Sequence, residues 1–497
     1  MIRQLAMSES IRTAHTGAFC PYWTELDGRV FIADTAEEMF DFLPHGRRTV
    51  DSVSVLAFLQ FNHMLGDRTL VEGVRRMPWR GELLGTGELR RLPAHPHGSA
   101  QMPAKKIARQ MIRYLQEELT EVTRGHARAM LMLSGGLDSR ILAGVLKSIE
   151  SSCDARVEVL TWGIAGSRDR NYAARIAEHL GWKQNVLDYT PELAWRNVRT
   201  AAEWGGSECA GIHLHGLDWF RQNAKPDDIV IAGTLGDSIG RAVYYGRHIG
   251  RVLRWPIVNT RSLFPYTRFL SHARDARLSR RTAWADGKSE SRIAKLELHL
   301  QENFLRRMLC HAMDYPRQFC DVHQAFSSDA LVRLVWGLDP RVRTDAPYEE
   351  ALMMLDPALA RVPWARTGRP LGSIEPPDEL AREHHNWWRW AKGPFADALR
   401  DLIRSPGLEA LGLFHGPSLE RMWDEFEQEG APHNRLIEDV IKVCTIELAR
   451  ARFGLRSSRT MTPLERSAES VLRAGLRLAQ PVFCAWQAAK EEARKHW

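Results

Sequence analysis

Residues 131–139 read Leu-Met-Leu-Ser-Gly-Gly-Leu-Asp-Ser. An apolar run from Ala127 to Leu133 stops at Ser134-Gly135-Gly136-Leu137-Asp138-Ser139, and a helical pattern over Arg140–Lys147 begins at once. The change of period predicts a strand, a small-residue loop and a helix start. The first N–H groups of a helix lack intrahelical partners and lie at the positive end of its dipole, so such a loop is an anion site. Gly135 and Gly136 carry no Cβ to keep an anion away. Ser134 and Ser139 add hydroxyl donors. Asp138 repels phosphate directly, so its expected role is to hold Mg²⁺ bridging to phosphate oxygens. The string matches neither the Walker A pattern nor Gly-x-Gly-x-x-Gly.

The flanking sequence extends this unit. Strand patterns at Val157–Trp162, Gln184–Leu187 and Asp228–Ala232 alternate with helical patterns at Arg170–Leu180, Pro191–Glu203 and Leu214–Asn223. Alternation of this kind predicts an α/β fold, a mostly parallel sheet with helices on both faces and ligands at the carboxyl ends of its strands. The last of these strands runs into Gly233-Thr234-Leu235-Gly236-Asp237-Ser238, a second acidic, glycine-bearing loop roughly one hundred residues after the first. Gly236 and Asp237 are therefore candidates for phosphate and Mg²⁺ contact.

Upstream, strand patterns at Arg29–Ala33 and Gly81–Leu84 flank helical spacing from Ser52 to Gly66, which makes residues 1–98 a small β-rich domain. Pro93–Gly98 reads as a linker, followed by a long amphipathic helix over Lys105–Val122. Beyond residue 255 the chain reads as helical, with breaks near Pro316 and Pro340. The expected units are 1–98, 105–455 and a basic helical tail, 456–497.

The chain has 497 residues and a net charge of +7, which permits an acidic substrate or ATP without demanding one. Seven scattered cysteines form no zinc spacing and suggest a reduced, cytoplasmic protein. No apolar run is long enough for a membrane span. His213 and His215 lack a third ligand at sensible spacing. Trp387 and Trp390 share a helix face beside His384 and His385 and read as core, with a peptide-docking surface as the alternative.

The six residues Ser134–Ser139 resemble the pyrophosphate loop of the N-type ATP pyrophosphatases, Ser-Gly-Gly-x-Asp-Ser. With the second loop they resemble the asparagine synthetases and β-lactam synthetases, which carry Gly-x-Gly-x-Asp-Glu there; this chain matches at Gly233 and Asp237, matches the second glycine only loosely through Gly236, and has Ser238 in place of the Glu. Leu65–Leu70 with Val74–Pro78, Ser167-Arg168-Asp169 and Ala325–Val332 are similar to further family segments. The resemblance implies an adenine nucleotide alpha hydrolase-like fold and an ATP-dependent, AMP-forming amide synthetase. In it Ser134, Gly135, Gly136, Leu137 and Ser139 cradle pyrophosphate, Asp138 and Asp237 hold Mg²⁺, and Leu133, Leu160, Thr161 and Trp162 line the adenine pocket. Tyr244, Glu302 and Arg343 are the candidates for the amide-forming half-reaction, with Arg241, Tyr245, Arg306 and Lys442 as further ones.

Glutamine-dependent members use an amino-terminal Cys; position 2 here is Ile and the nearest cysteine is Cys20. The first domain therefore reads as a shortened glutaminase-like remnant, most like that of bacterial lasso-peptide cyclases. That likeness implies a peptide or small-molecule carboxylate as substrate, with a leader-binding protein and a protease as partners. An ammonia-dependent amidotransferase of a small acid, an RNA-modifying enzyme and a non-catalytic scaffold stand as alternatives, although no RNA-binding motif is present.

Overall fold

The computed structural model describes residues 2–242, 257–281, 292–428, 434–457 and 462–475. Its centre is a five-stranded sheet built from β8 (Arg128–Met132), β9 (Arg156–Gly163), β10 (Lys183–Asp188), β11 (Asp228–Ala232) and β12 (Asp321–Gln324), in the order β10-β9-β8-β11-β12. Every pairing is parallel. The chain leaves β8 toward β9 and β10 on one side, then returns to place β11 and β12 on the other. The strand order thus reverses between β8 and β11, and the loops leaving their carboxyl ends border the crevice where such sheets bind ligands.

Helices cover both faces. In β8, Ala129 and Leu131 enter a core shared with α3 (Ala104–Thr123), α4 (Leu137–Ile149) and α5 (Arg168–Leu180). Met130 and Met132 point the other way, into a smaller core with Ala201 of α6 (Pro191–Glu203), Leu217 and Phe220. Parallel strands buried on both faces explain the near-continuous apolar runs. Helix ends follow local chemistry: Thr190 caps α6 by accepting from the Leu193 N–H at 3.3 Å, with Pro191 at its first position, and Gly181 closes α5 at φ 71°.

The amino-terminal region forms two antiparallel sheets. One contains β1 (Arg3–Leu5), β3 (Tyr22–Leu26), β4 (Arg29–Ala33) and β5 (Val74–Arg76) in the order β1-β4-β3-β5. The other is β2 (Ser10–Arg12), β6 (Gly81–Leu84) and β7 (Leu89–Arg91). Helices α1 (Ala36–Phe42) and α2 (Ser52–Phe61) accompany them; Asp51 caps α2 through the N–H groups of Val53 and Ser54. Trp23, Ile32 and Trp79 from this region share one apolar cluster with Leu131 and Leu142 of the parallel sheet and its helix. The segment read as a linker is packed: His97 stacks on Trp336 at 4.2 Å and bonds Glu297 at 2.8 Å.

Two expectations differ from the structure. Leu214–Asn223 is not one helix but short 3₁₀ turns followed by Phe220–Asn223, because His215 takes φ 48° and the chain turns there. Strand β12 lies where only helix was expected; Asp-Val-His-Gln is too short and polar to signal a strand, and its pairing with β11 creates it. Among the described residues, helix runs over 463–475 and packs on the body through Arg473, which bonds Glu469, Ser418 and the carbonyls of Ser262 and Phe264. No helix of the described residues is long and apolar enough to cross a membrane.

Candidate nucleotide site

The Ser134–Ser139 loop is held by its own hydroxyls. The Ser134 N–H donates to Ser139 Oγ at 3.2 Å, and the Gly136 N–H to Ser134 Oγ at 3.1 Å. Ser139 Oγ lies 3.3 Å from the Ser134 carbonyl, to which it donates. Gly136 is the N-cap of α4, so Leu137, Asp138 and Ser139 occupy its first turn, where N–H groups have no intrahelical acceptor.

Gly135 serves a purpose other than the expected one, whereas Gly136 lines the cavity. A Cβ on Gly135 would stand 2.8 Å from Ala365 Cβ and 2.9 Å from Tyr172 Cδ2, so its bareness admits protein, not ligand. Its N–H is taken by Asp169 Oδ1 at 2.9 Å. A segment running from Leu359 to His384 straps the loop from outside. Buried Arg140 donates to the carbonyls of Gly135 (3.0 Å), Leu359 (3.2 Å), Val362 (2.6 Å) and Pro363 (2.8 Å). The Ala365 N–H returns to the Gly135 carbonyl at 3.1 Å. Farther on, Asp378 takes Arg168 and the Tyr172 hydroxyl, and His384 bonds the Ile164 N–H through its carbonyl.

A cavity of about 330 Å³ opens over the strand ends, at the small end of ligand-sized pockets. Leu133, Ser134, Gly136, Asp138 and Ser139 line one side, Thr161 and Trp162 another, and Ala232, Gly233 and Thr234 a third. Thr161 Oγ1 donates to the Leu133 carbonyl at 2.8 Å and so ties the two strand ends. Asp169, His213, His215, His384 and Met308 complete the wall. The imidazoles are neutral groups there. Burial pushes His213 down to about 4 and His215 well below its usual value, and His215 Nδ1 lies 3.4 Å from His384 Nε2. These histidines are two positions from each other or far apart in sequence, which is why spacing alone did not mark them as cavity wall.

Asp138 and Asp237 converge. Asp138 Oδ2 lies 3.2 Å from Arg241 Nη2, which also contacts Asp237, while Arg241 Nη1 reaches Asp345 at 2.8 Å. Gly236 is required here: a Cβ on it would overlap the Asp138 carboxylate. The Tyr348 hydroxyl donates to the Gly236 carbonyl at 3.1 Å and fixes the second loop. Burial raises the Asp138 carboxyl above its usual range, with Arg241 opposing that shift and Asp345 adding to it. Among the described residues Asp138 Oδ1 is buried without a hydrogen-bond partner. An orphaned carboxylate oxygen beside a second, partly exposed carboxylate is a donor set that fits a hard divalent cation completed by phosphate oxygens.

The structure separates the other sequence candidates from this cavity. Leu137 and Leu160 are core side chains, and Leu160 contributes its carbonyl to the Leu133 N–H. Glu302 sits in a π-helical stretch, Leu300–Leu309, within an ion network facing the amino-terminal sheets: Arg306 at 3.2 Å, Arg80 at 3.5 Å and Arg91 at 3.8 Å. Arg306 also donates to the Met77 carbonyl at 2.6 Å. Arg343 pairs with Glu297 at 2.8 Å and braces the second loop through the Ile239 carbonyl. Lys442 is buried against Asp439 at 2.8 Å and the Leu59 carbonyl. Each of these charged groups has protein partners because burial demands them. Tyr244 and Tyr245 lie outside the described residues. Trp387 and Trp390 are buried beside Tyr189, whereas Trp388 is exposed.

Comparison with known proteins follows the same lines. No curated protein matches the chain in sequence. Among solved structures, NMN synthetase from Francisella tularensis matches at 13% identity and a TM-score of 0.20, over 29% of this chain. The match spans 59% of that structure's length. A family model matches residues 112–449, which take in the whole parallel sheet and both acidic loops. The chain belongs to the asparagine synthase family.

Proposed function

We propose that the chain is an ATP-dependent, AMP-forming amide synthetase that activates a carboxylate and joins it to an amine of its substrate. The observation that carries this reading is the convergence of Asp138 and Asp237, from two loops flanking the reversal of strand order, on one cation position at the edge of the cavity. The N–H groups at the start of α4 and the Ser134 and Ser139 hydroxyls receive the β- and γ-phosphates, and the nucleoside lies along Leu133, Thr161 and Trp162. Asp138 and Asp237 would hold Mg²⁺, which when bound would supply charge neutralisation at the phosphates. The protein's own contribution to that step is positioning and preorganised charge. The substrate carboxylate attacks the α-phosphorus, the bond to the bridging oxygen breaks, and an amine then displaces AMP from the acyl-adenylate.

The amine source is read from the first 98 residues. Their one cysteine, Cys20, is fully buried, and burial pushes its thiol up to about 12. A thiol so protonated and enclosed is a poor nucleophile. This supports an amine carried by the substrate itself, as in macrolactam formation on a peptide Asp or Glu side chain. A leader-binding protein and a protease are the partners such a substrate would require. The six described cysteines are unpaired, which supports a reducing compartment.

The test is ATP–pyrophosphate exchange and AMP release with candidate precursor peptides, against aspartate plus ammonium. Carboxylate-dependent exchange that disappears in Asp138→Ala supports the reading. Exchange retained in that variant overturns the assignment of Asp138, and asparagine formed from ammonium would replace the peptide substrate with a small acid.

A further inference from the structure

Arg241 follows the second acidic loop and is 4% exposed. Its guanidinium meets three carboxylates, from Asp138, Asp237 and Asp345. Its Cζ lies 5.2 Å from the Tyr348 ring centre and 5.6 Å from that of Trp364, so two aromatic faces clamp the cation. Trp364 belongs to the strap that also grips the phosphate loop through Ala365. An arginine held in this way does not leave by losing its proton. Yet Nη2 occupies the position between Asp138 and Asp237 that a small dication would take. Two cations cannot share that position, because the guanidinium and a dication would overlap and repel at contact distance.

We propose that Arg241 is a resident counter-cation that keeps Asp138 and Asp237 closed to divalent metal until a nucleoside triphosphate arrives, whose phosphate oxygens then take over the guanidinium. The proposal rests on the ATP reading of the site. Guanidinium suits the exchange because its planar fork pairs equally with carboxylate and phosphate. The anionic phosphates at the start of α4 supply what the carboxylates lose, and the orphaned Asp138 Oδ1 gains a metal in the same step. Metal and nucleotide therefore bind as a unit, and metal alone binds poorly.

The experiment is Mn²⁺ titration of the full chain, followed by the electron paramagnetic resonance of free Mn²⁺, with and without α,β-methylene-ATP. Wild-type protein should bind Mn²⁺ at least tenfold more tightly with the analogue. Arg241→Gln should bind Mn²⁺ alone at least tenfold more tightly than wild type, and Arg241→Gln with Asp138→Asn should lose that gain. Arg241→Lys, which keeps the charge, should resemble wild type. Wild-type protein that binds Mn²⁺ equally well with and without a bound analogue overturns the proposal, as does a folded Arg241→Gln with unchanged Mn²⁺ affinity. If calorimetry shows that wild type does not bind the analogue while Arg241→Gln gains an Asp138-dependent Mn²⁺ site, the ATP reading fails and the competition stands.

Discussion

Lowering the pH should destabilise this protein through histidines buried without carboxylate partners, and His63 gives the cleanest case. Its side chain is buried, with Phe61 and Phe304 both 6.1 Å away between ring centres. Nδ1 lies 2.8 Å from the Met64 carbonyl, which fixes the tautomer that donates there. Burial pushes its pKa from 6.5 down to about 4; the Met64 bond works against that shift, and Arg307 and Arg306 add to it. Between pH 6.5 and 4 the unfolded chain therefore binds a proton that the native state refuses. Stability from this ring is complete above the unfolded value, falls as the pH drops through that window, and levels off below about 4. One pKa unit is about 1.4 kcal/mol, so the full loss is about 3 kcal/mol, of which about 2 kcal/mol has gone at pH 5. His63→Gln keeps a donor for the Met64 carbonyl and does not titrate. Urea unfolding at pH 7 and pH 5 gives the loss for each protein, and groups common to both cancel in the difference. Wild type should lose about 2 kcal/mol more than the variant. Equal losses would refute the argument that the buried neutral ring is the cause.

Other substitutions probe the site and its supports. Gly236→Ala should leave the fold intact at a cost of roughly 1–3 kcal/mol in urea unfolding, because the added Cβ presses on the Asp138 carboxylate. Calorimetry should show nucleotide binding lost. Arg140→Met removes the guanidinium from four carbonyls at once, of which only that of Gly135 keeps a second donor, and should cost about 3 kcal/mol or more, with faster amide hydrogen exchange at 134–137. Thr161→Val should cost about 1 kcal/mol and weaken nucleotide binding several-fold, because it removes the bond to the Leu133 carbonyl.

Glu302 belongs to a charged network between the amino-terminal sheets and the π-helical stretch. Arg76 bonds Glu208 at 2.7 Å and also meets Asp314, while Arg307 meets Glu208 at 3.1 Å and Arg306 meets Asp67 at 3.2 Å. The same stretch ends at Met308 and Leu309, which line the cavity. Packing against the first 98 residues thus reaches the cavity wall through one helix. Removing a single partner from so buried a set leaves an uncompensated charge, typically at a cost of about 3–5 kcal/mol.

Local chemistry was enough to read the small-residue loop at Ser134–Ser139, the strand before it and the start of α4. The strand-to-helix change of period and the run of small residues are properties of adjacent residues. The same holds for α6, whose start at Pro191 was readable, and for β4, whose short apolar run Val30–Ala33 needs no partner to be visible. Sequence order could also place two acidic loops at strand ends. It could not show that β11 returns to the far side of β8, which is what brings Asp138 and Asp237 to the one Arg241 guanidinium. Arg241 was visible as a charge near the second loop; two of its three carboxylates, Asp138 and Asp345, and both aromatic clamps come from segments roughly one hundred residues away on either side. The purpose of Gly135 was inverted for the same reason, since Ala365 and Tyr172 take the space that a ligand was expected to fill. Hydrogen bonding and helix capping act over a few residues, so the sequence by itself determined the strand, the small-residue loop and the helix start. Burial and charge pairing act across the fold, so only the tertiary structure decided which acids meet, which basic residues are structural, and where the histidines line the cavity.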